Sequence, residues 1–309
     1  MSGRRFPLVV IAGPTASGKS ETAMAVARAV GGEIVSGDAF AIYRGLDIGT
    51  AKPSERVRSE IPHHLIDVAQ PNESFSAGRW ASLARVAISE IESRGAVPII
   101  EGGSHFYLRA LLKGLPGEEV RFEALRGYWR GRERGSNRDL KRMLDVLDPA
   151  YSAKVPQQDT ARLLRAIEIV LATGRRVTDR PSVGDAWSST RSVLKIALQF
   201  TRQEIYTRLA VRVFEMWDAG WPDEVRGLLS RGVPRCAPAF RAIGYSEVAS
   251  FVSGETSRDE ALSAITRRTR ALVKRQMTWL ASEPDLQYRS PSEAIGETVR
   301  FCARSRDDR

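Results

Sequence analysis

One stretch of eight residues brings together the groups needed to hold a phosphate. Gly13, Pro14, Thr15, Ala16, Ser17, Gly18, Lys19 and Ser20 spell G-x-x-x-x-G-K-S. Glycines at its two ends let the backbone curl so that successive amides face one anion. Lys19 adds a mobile positive charge, and the Ser20 hydroxyl is placed to hold Mg²⁺. This is the common nucleotide-binding, ATP-binding loop, yet the pattern does not say which phosphate is gripped. Phosphate-loop enzymes also need an acid at the end of a buried strand, for magnesium or for the attacking group. Asp38, Glu101 and Asp67 are the candidates, and Ser104 follows Glu101-Gly102-Gly103 closely. Arg208 and Arg212 share one helix face at i and i+4.

The elements that must position these groups follow from the apolar pattern. Pro7 to Ala12 is a short β-branched run, a buried strand that delivers the loop, and Glu21 to Val30 is the Ala-rich helix after it. Glu33–Ser36 and Val97–Ile100 read as further buried strands, with a short strand at Leu65–Ile66. Ser76–Arg94 has an apolar stripe at 3–4 spacing (Ala77, Trp80, Leu83, Ala84, Ala87, Ile88, Ile91) and stops at Gly95. Another helix runs from His105 to Lys113. Alternation of strands and helices predicts a parallel α/β sheet covered on both faces, with ligands at the carboxyl ends of its strands. The phosphate loop, Asp38 and Ser104 all follow strands and should converge at that edge.

At Gly114 the pattern changes. Residues 121–180 hold fourteen Lys/Arg and eight Asp/Glu, a net of +6 out of +10 for the chain. Helices are expected at Phe122–Arg130, Arg138–Leu147 and Thr160–Thr173, the last capped by Asp159 and stopped by Gly174. Val193–Phe200 returns to strand character. Helices at Arg202–Ala219, Asp223–Arg231 and Arg258–Leu280 follow, the last with a seam at Leu262, Ile265, Thr269, Leu272, Gln276 and Trp279. The predicted organisation is a first core part at 1–113, an all-helical insertion at 114–190 and a second core part at 191–309, with SRDDR fraying at the end. His63 and His64 read as loop-ordering residues.

At 309 residues, with 42% hydrophobic and 27% charged content, the chain has the composition of a soluble protein with a large core. No apolar run approaches the ~20 residues of a membrane span. Cys236 and Cys302 are too few for a disulfide framework or a zinc site, which points to the cytoplasm. The excess of positive charge suits a polyanionic partner.

Taken together the motifs are specific. GPTASGKS (13–20), YRGLDIGTAKP (43–53), PHHLID (62–67), FSAGRW (75–80), EGGSHFYLRALLKGL (101–115), RLLRAIEI (162–169), AIGYSEV (242–248) and TRRTRALVKRQMTWL (266–280) span nearly the whole chain. In this order they resemble the tRNA dimethylallyltransferases, also called tRNA isopentenyltransferases. The resemblance implies a P-loop NTPase-like fold and transfer of a dimethylallyl group from dimethylallyl diphosphate to the exocyclic amine of the adenosine 3′ to the anticodon. It implies Mg²⁺ on Ser20, a diphosphate held by Gly13–Ser20 with Arg208 and Arg212 closing over it, and Asp38 as the base. Lys19 and Ser104 join Asp38 in the catalytic set. The tRNA anticodon stem-loop is expected on Asp38, Ala39, Phe40, Ala41, Ser104, Arg121, Ala161, Arg162, Leu163, Leu164, Arg165, Arg241, Gly244 and Tyr245. A monomer is expected.

The sequence departs from the family pattern in three places. Ala39 stands where the family commonly has Ser, Ser104 where it usually has Thr, and the connection from Gly114 to Arg121 is short. Glu101 assists magnesium or caps the next helix, and the sequence leaves both open. Two rival activities also remain: prenylation of free adenylate, and a phosphate-loop kinase or NTPase. The basic insertion and RLLRA argue against the first, and intact Lys19, Ser20 and Asp38 argue against a non-catalytic RNA-binding protein.

Overall fold

The computed structural model describes residues 7–115, 122–130, 137–179, 187 and 191–307. The chain divides into two compact units, Met1–Leu111 with Ser188–Arg309, and Leu112–Trp187.

In the first unit, β1 (Leu8–Ala12) is buried at every residue and leads into α1 (Lys19–Val30) and β2 (Gly32–Ser36). A long loop and α2 (Glu55–Glu60) precede β3 (His63–His64), and α3 (Ala77–Ser93) feeds β4 (Val97–Gly102). The helix α4 (His105–Lys113) follows. In the second unit lie α5 (Glu123–Arg130), α6 (Asn137–Leu147), α7 (Pro149–Ser152) and α8 (Thr160–Thr173). The first unit resumes with β5 (Val193–Leu198), α9 (Arg202–Asp218), α10 (Trp221–Ser230), a 3₁₀ turn at Pro238–Arg241 and α11 (Tyr245–Val252). It closes with α12 (Arg258–Ser282), β6 (Gln287–Arg289) and α13 (Pro291–Asp307).

The strands form one sheet in the order β3-β2-β4-β1-β5-β6, every neighbour parallel. A sheet buried on both faces needs apolar residues at successive positions, which is why β1 reads Leu-Val-Val-Ile-Ala without alternation. One face packs Val9, Ile11, Ile34, Ile99 and Ile196 under α1 and α13. On α3, Trp80 is fully buried and its indole N–H donates to the Ser36 carbonyl at 2.9 Å. The α/β phosphate-loop core expected from the sequence is therefore present.

Several elements differ from expectation. The short strand sits at His63–His64, because Leu65 (φ 62°) and Asp67 (φ 58°) adopt left-handed conformations that no strand continues through. The two histidines order this edge, as expected: His63 Nδ1 meets the Ile61 carbonyl at 2.7 Å, and His64 Nε2 meets Glu33 at 2.7 Å. The chain does not fray at Ser305, since α13 extends through Asp307. Its buried Ala294, Thr298 and Cys302 hold it against the sheet.

The second unit is helical throughout its described elements, and α8 has the expected ends. Asp159 accepts the Arg162 amide at 3.0 Å, and Gly174 closes the helix at φ 63°. Its core gathers Trp129, Leu140, Leu144, Val155, Leu163 and Ile167. Glu168, with no exposed surface, is held by Arg126 through Nε at 2.6 Å and Nη2 at 2.7 Å, and by the Phe122 amide.

Candidate functional site

The phosphate loop begins where β1 ends, at the carboxyl edge of the sheet. Ala16 (φ 63°) and Gly18 (φ 78°) take left-handed conformations, and the Thr22 hydroxyl donates to the Gly18 carbonyl at 2.9 Å, locking the loop to the first turn of α1. The Lys19 ammonium lies back across its own loop and donates to the Pro14 carbonyl at 2.9 Å. The Ser17 hydroxyl is fully buried with no hydrogen-bond partner.

Two carboxylates face this loop from neighbouring strands. Glu101 lies in β4, and the Ser20 hydroxyl approaches its Oε1 at 3.5 Å. Asp38 follows β2. Its Oδ1 accepts the Phe40 amide at 2.7 Å and the Ala41 amide at 3.1 Å, a short-range cap that bends the chain across the strand ends. Ser104, at the entry to α4, accepts the Ala39 amide through Oγ at 3.2 Å. Ser104 thus contacts the segment that carries Asp38, and Ser20 of the phosphate loop approaches Glu101, as the expected convergence at this edge requires.

Charge is concentrated here at the expense of hydration. Glu101 and Lys19 keep a little accessible surface, but protein surrounds them closely enough that desolvation dominates. Burial raises the Glu101 carboxyl above the usual carboxylate range against the pull of Lys19. Burial also lowers the Lys19 ammonium, with Glu101 opposing that shift and Arg212 reinforcing it. The same desolvation lowers Arg212, which stays charged, with Asp38 and Glu101 as its attractors. A dianion entering this cluster gains fixed positive partners without having to order them. Arg208 is exposed, with its guanidinium 4.5 Å from the Phe200 ring centroid.

A cavity of about 460 Å³ is lined by Thr15 of the loop, Asp38 and Arg212. Leu209, Val213, Met216, Ile265 and Leu272 give it apolar lining, and Phe40, Trp221 and Arg241 also line it.

The other residues expected at the RNA divide three ways. Arg241 is exposed on the cavity rim, whereas Tyr245 is fully buried and donates its hydroxyl to Glu224 at 2.6 Å. Tyr245 therefore does not line the cavity with its ring, and Gly244 (φ 100°) is fixed by packing: a Cβ there would meet Trp221 at 2.0 Å. In α8, Ala161 and Arg162 are exposed and Arg165 is partly so, the last 3.5 Å from Glu168. Leu163 and Leu164 point into the core of their unit, so their side chains are not on its surface. Arg121 lies outside the described residues.

Asp67 also departs from its expected place. It is a framework residue, paired with Lys52 at 2.7 Å and Arg58 at 3.0 Å. Two residues the sequence reading did not single out matter more. Glu224 accepts the amides of Asp47 and Ile48 at 2.7 Å each, besides the Tyr245 hydroxyl, and so pins the loop that carries Gly49 and Thr50 to the cavity wall. Gln276, assigned to the α12 seam, accepts the Thr15 amide at 2.9 Å and donates to the Gly103 carbonyl at 3.0 Å. Its one sequence signal is a polar residue in an otherwise largely apolar stripe.

The chain was compared with known proteins. The sequence model of a family described as IPP transferase matches residues 41–283. A tRNA dimethylallyltransferase 1 of Citrifermentans bemidjiense is 40% identical over 304 residues, covering 97% of this chain and 98% of the relative. The crystal structure of the full-length tRNA isopentenylpyrophosphate transferase from Bacillus halodurans superposes with a TM-score of 0.71 at 30% identity, covering 98% of each chain. A eukaryotic dimethylallyltransferase acting on tRNA, 23% identical, shares the fold with a TM-score of 0.79 over 92% of this chain and 73% of that one. The phosphate loop facing an acidic strand end, and a match that runs through both units, have one reading: this chain belongs to the IPP transferase family.

Proposed function

We propose that the protein transfers a dimethylallyl group from dimethylallyl diphosphate to the exocyclic amine of the adenosine 3′-adjacent to the anticodon of tRNA. The observation that carries this reading is the shared cavity. Thr15 of the phosphate loop, Arg212 and Asp38 line the same space as Leu209, Val213, Met216, Ile265 and Leu272, whose apolar side chains suit a five-carbon chain. Relatives that match over 97% and 92% of the chain carry the name tRNA dimethylallyltransferase, which supports it.

The residues fit the chemistry in turn. The loop amides, Lys19 and Arg212 hold the diphosphate, and the buried Ser17 hydroxyl gains an acceptor when it arrives. As the allylic C–O bond breaks, its electron pair goes to the departing diphosphate, where these fixed donors meet the growing charge. The amine lone pair forms the new C–N bond. That amine is a poor nucleophile, since its lone pair is delocalised into the ring, so a base must take its proton. Asp38 is that base: both loop amides bond to Oδ1, which leaves Oδ2 for the proton. Ser20 Oγ and Glu101 Oε1, 3.5 Å apart, offer the hydroxyl and carboxylate that Mg²⁺ accepts alongside phosphate oxygens, and their proximity fits such an ion. Bound there, Mg²⁺ would supply further charge neutralisation at the leaving group.

The target base must leave its stack to enter a cavity of this size, as enzymes acting on bases require. Arg241 at the rim, and Arg162 and Arg165 on α8, are the side chains proposed to meet the RNA backbone. Binding should weaken steeply with salt.

The deciding experiment supplies labelled dimethylallyl diphosphate with an anticodon stem-loop, with free AMP, and separately ATP without RNA. Label on one adenosine of the stem-loop is expected. Label on AMP alone would make the protein an adenylate prenyltransferase, and ATP turnover without any transfer would make it a phosphate-loop NTPase.

A further inference from the structure

A buried glutamine connects the donor site to the base. Gln276 is 8% exposed in the middle of α12, where Leu262, Ile265, Val273 and Leu280 fill the buried face. Burying a primary amide costs free energy unless both of its ends are bonded. Here both are: Oε1 takes the N–H of Thr15 in the phosphate loop, and Nε2 donates to the Gly103 carbonyl at the end of β4. The line continues from there. Ser104 is the next residue, and its Oγ takes the Ala39 N–H at 3.2 Å. Asp38 is the residue before Ala39, and its Oδ1 takes the Phe40 N–H at 2.7 Å. Hydrogen bonds and single residue steps thus run unbroken from the phosphate loop to the proposed base.

The backbone is shaped around this amide. A Cβ on Gly103 would lie 2.5 Å from Gln276 Nε2 and 3.2 Å from the Gly13 carbonyl, so any side chain there would push the amide out of its present place. An apolar residue of similar length would pack the same helix seam without placing either loop. What the amide adds is a fixed spacing, since each end reads a different strand terminus.

The geometry points to Gln276 as a positioning residue that sets the distance between the diphosphate cradle and Asp38. This rests on the transfer reaction proposed above. Reactions between two held partners are sensitive to such spacing, and a displacement of about 1 Å can cost on the order of 100-fold in rate. Here a displacement has a second consequence. When the allylic C–O bond breaks and its electron pair leaves with the diphosphate, the carbon is captured by whichever nucleophile is in place. Capture by the amine forms the C–N bond and sends a proton to Asp38. Capture by water forms a new C–O bond, releases dimethylallyl alcohol and sends a proton to solvent.

The test uses full-length wild type, Gln276→Met and Gly103→Ala with doubly labelled donor and stem-loop RNA. It reads transferred label, released alcohol, RNA affinity and thermal unfolding. For Gln276→Met the expected result is transfer slower by about 30- to 100-fold, RNA affinity within about twofold, and an alcohol-to-transfer ratio raised at least about tenfold. Gly103→Ala, which pushes the same amide from the other side, should shift the ratio in the same direction. It carries the test alone if Gln276→Met does not fold. A wild-type ratio in the folded variants, with both rates unchanged or lowered together, overturns the positioning role. If wild type itself makes no transfer product, it is the proposed reaction that fails.

Discussion

Asp38 caps its own loop and is the base of the proposed reaction, and two substitutions separate these roles. Its Oδ1 holds the Phe40 and Ala41 amides at 2.7 and 3.1 Å, and its second oxygen makes neither of these bonds. Asp38→Asn keeps an oxygen for the two amides and removes the base. Asp38→Ala removes both. A lost general base costs about 100- to 10,000-fold in the chemical step. The amide bonds are worth on the order of 1.5–3 kcal/mol each when made to a charge. They lie in a partly exposed loop where water replaces much of that, so about 1–3 kcal/mol is expected in total. At about 1.4 kcal/mol per factor of ten, this is roughly 5- to 150-fold in the affinity for the acceptor that the loop must meet. Asp38→Asn should therefore slow single-turnover transfer at least about 100-fold and leave stem-loop binding nearly intact. Asp38→Ala should match that loss and weaken binding as well. Transfer by Asp38→Asn within about tenfold of wild type would refute the reasoning, because the carboxylate would then be a loop cap and nothing more.

Other parts of the framework give sharper stability effects. Glu224→Ala leaves two short amide bonds and the Tyr245 hydroxyl without their acceptor and should cost about 2–4 kcal/mol in urea unfolding, while raising KM for RNA more than it lowers kcat. Arg126→Ala leaves the buried Glu168 carboxylate with the Phe122 amide and the more distant Arg165, and should cost about 2–4 kcal/mol, most of it recovered when Glu168→Leu is added. The Arg94 guanidinium, aided by His64, holds the Glu33 carboxyl below its ordinary value of 4.5, against the opposing effect of burial. A depressed acid contributes stability that is complete above its unfolded pKa and is lost as pH falls through the folded one. The gap in melting temperature between wild type and Glu33→Gln should therefore be widest near neutrality and close below about pH 4.5; a gap that widens in acid would contradict the assignment.

The sequence showed the chemistry better than it showed the supports. The phosphate loop, the acid after β2 and the hydroxyl after β4 are legible because their types and their places at strand ends are fixed by function, and β1 and α1 by periodicity. That Tyr245 and Leu163 are buried was not legible for one reason: a motif gives residue types in order, and does not say which of them face the core. Tyr245 holds Glu224, and Leu163 holds α8 to its unit. Short elements such as α2 and β6 carry too few residues for a period to show. Gln276 was visible as a residue but not as a link, since neither Thr15 nor Gly103 is near it in sequence.

The same distinction explains why the most diagnostic stretch of the chain holds so little reactive chemistry. YRGLDIGTAKP and PHHLID meet in an ion network around one buried lysine. The Lys52 side chain, 1% exposed, donates to the Tyr43 carbonyl at 2.8 Å and pairs with Asp47 at 2.5 Å and Asp67 at 2.7 Å. Arg58 takes the other Asp67 oxygen, and Arg44 takes its carbonyl at 2.9 Å. A lysine ammonium this deep needs a carboxylate partner, because removing both would leave a buried uncompensated charge. Of its partners, Asp67 takes a left-handed backbone (φ 58°). What the network secures is the loop from Asp38 to Pro53 that carries Asp38, Phe40, Gly49 and Thr50 to the cavity. A phosphate loop occurs with many chemistries. In this chain the loop that carries Asp38 to the cavity is tied down by Lys52 and Asp67, which lie in two of the motifs that carry the resemblance.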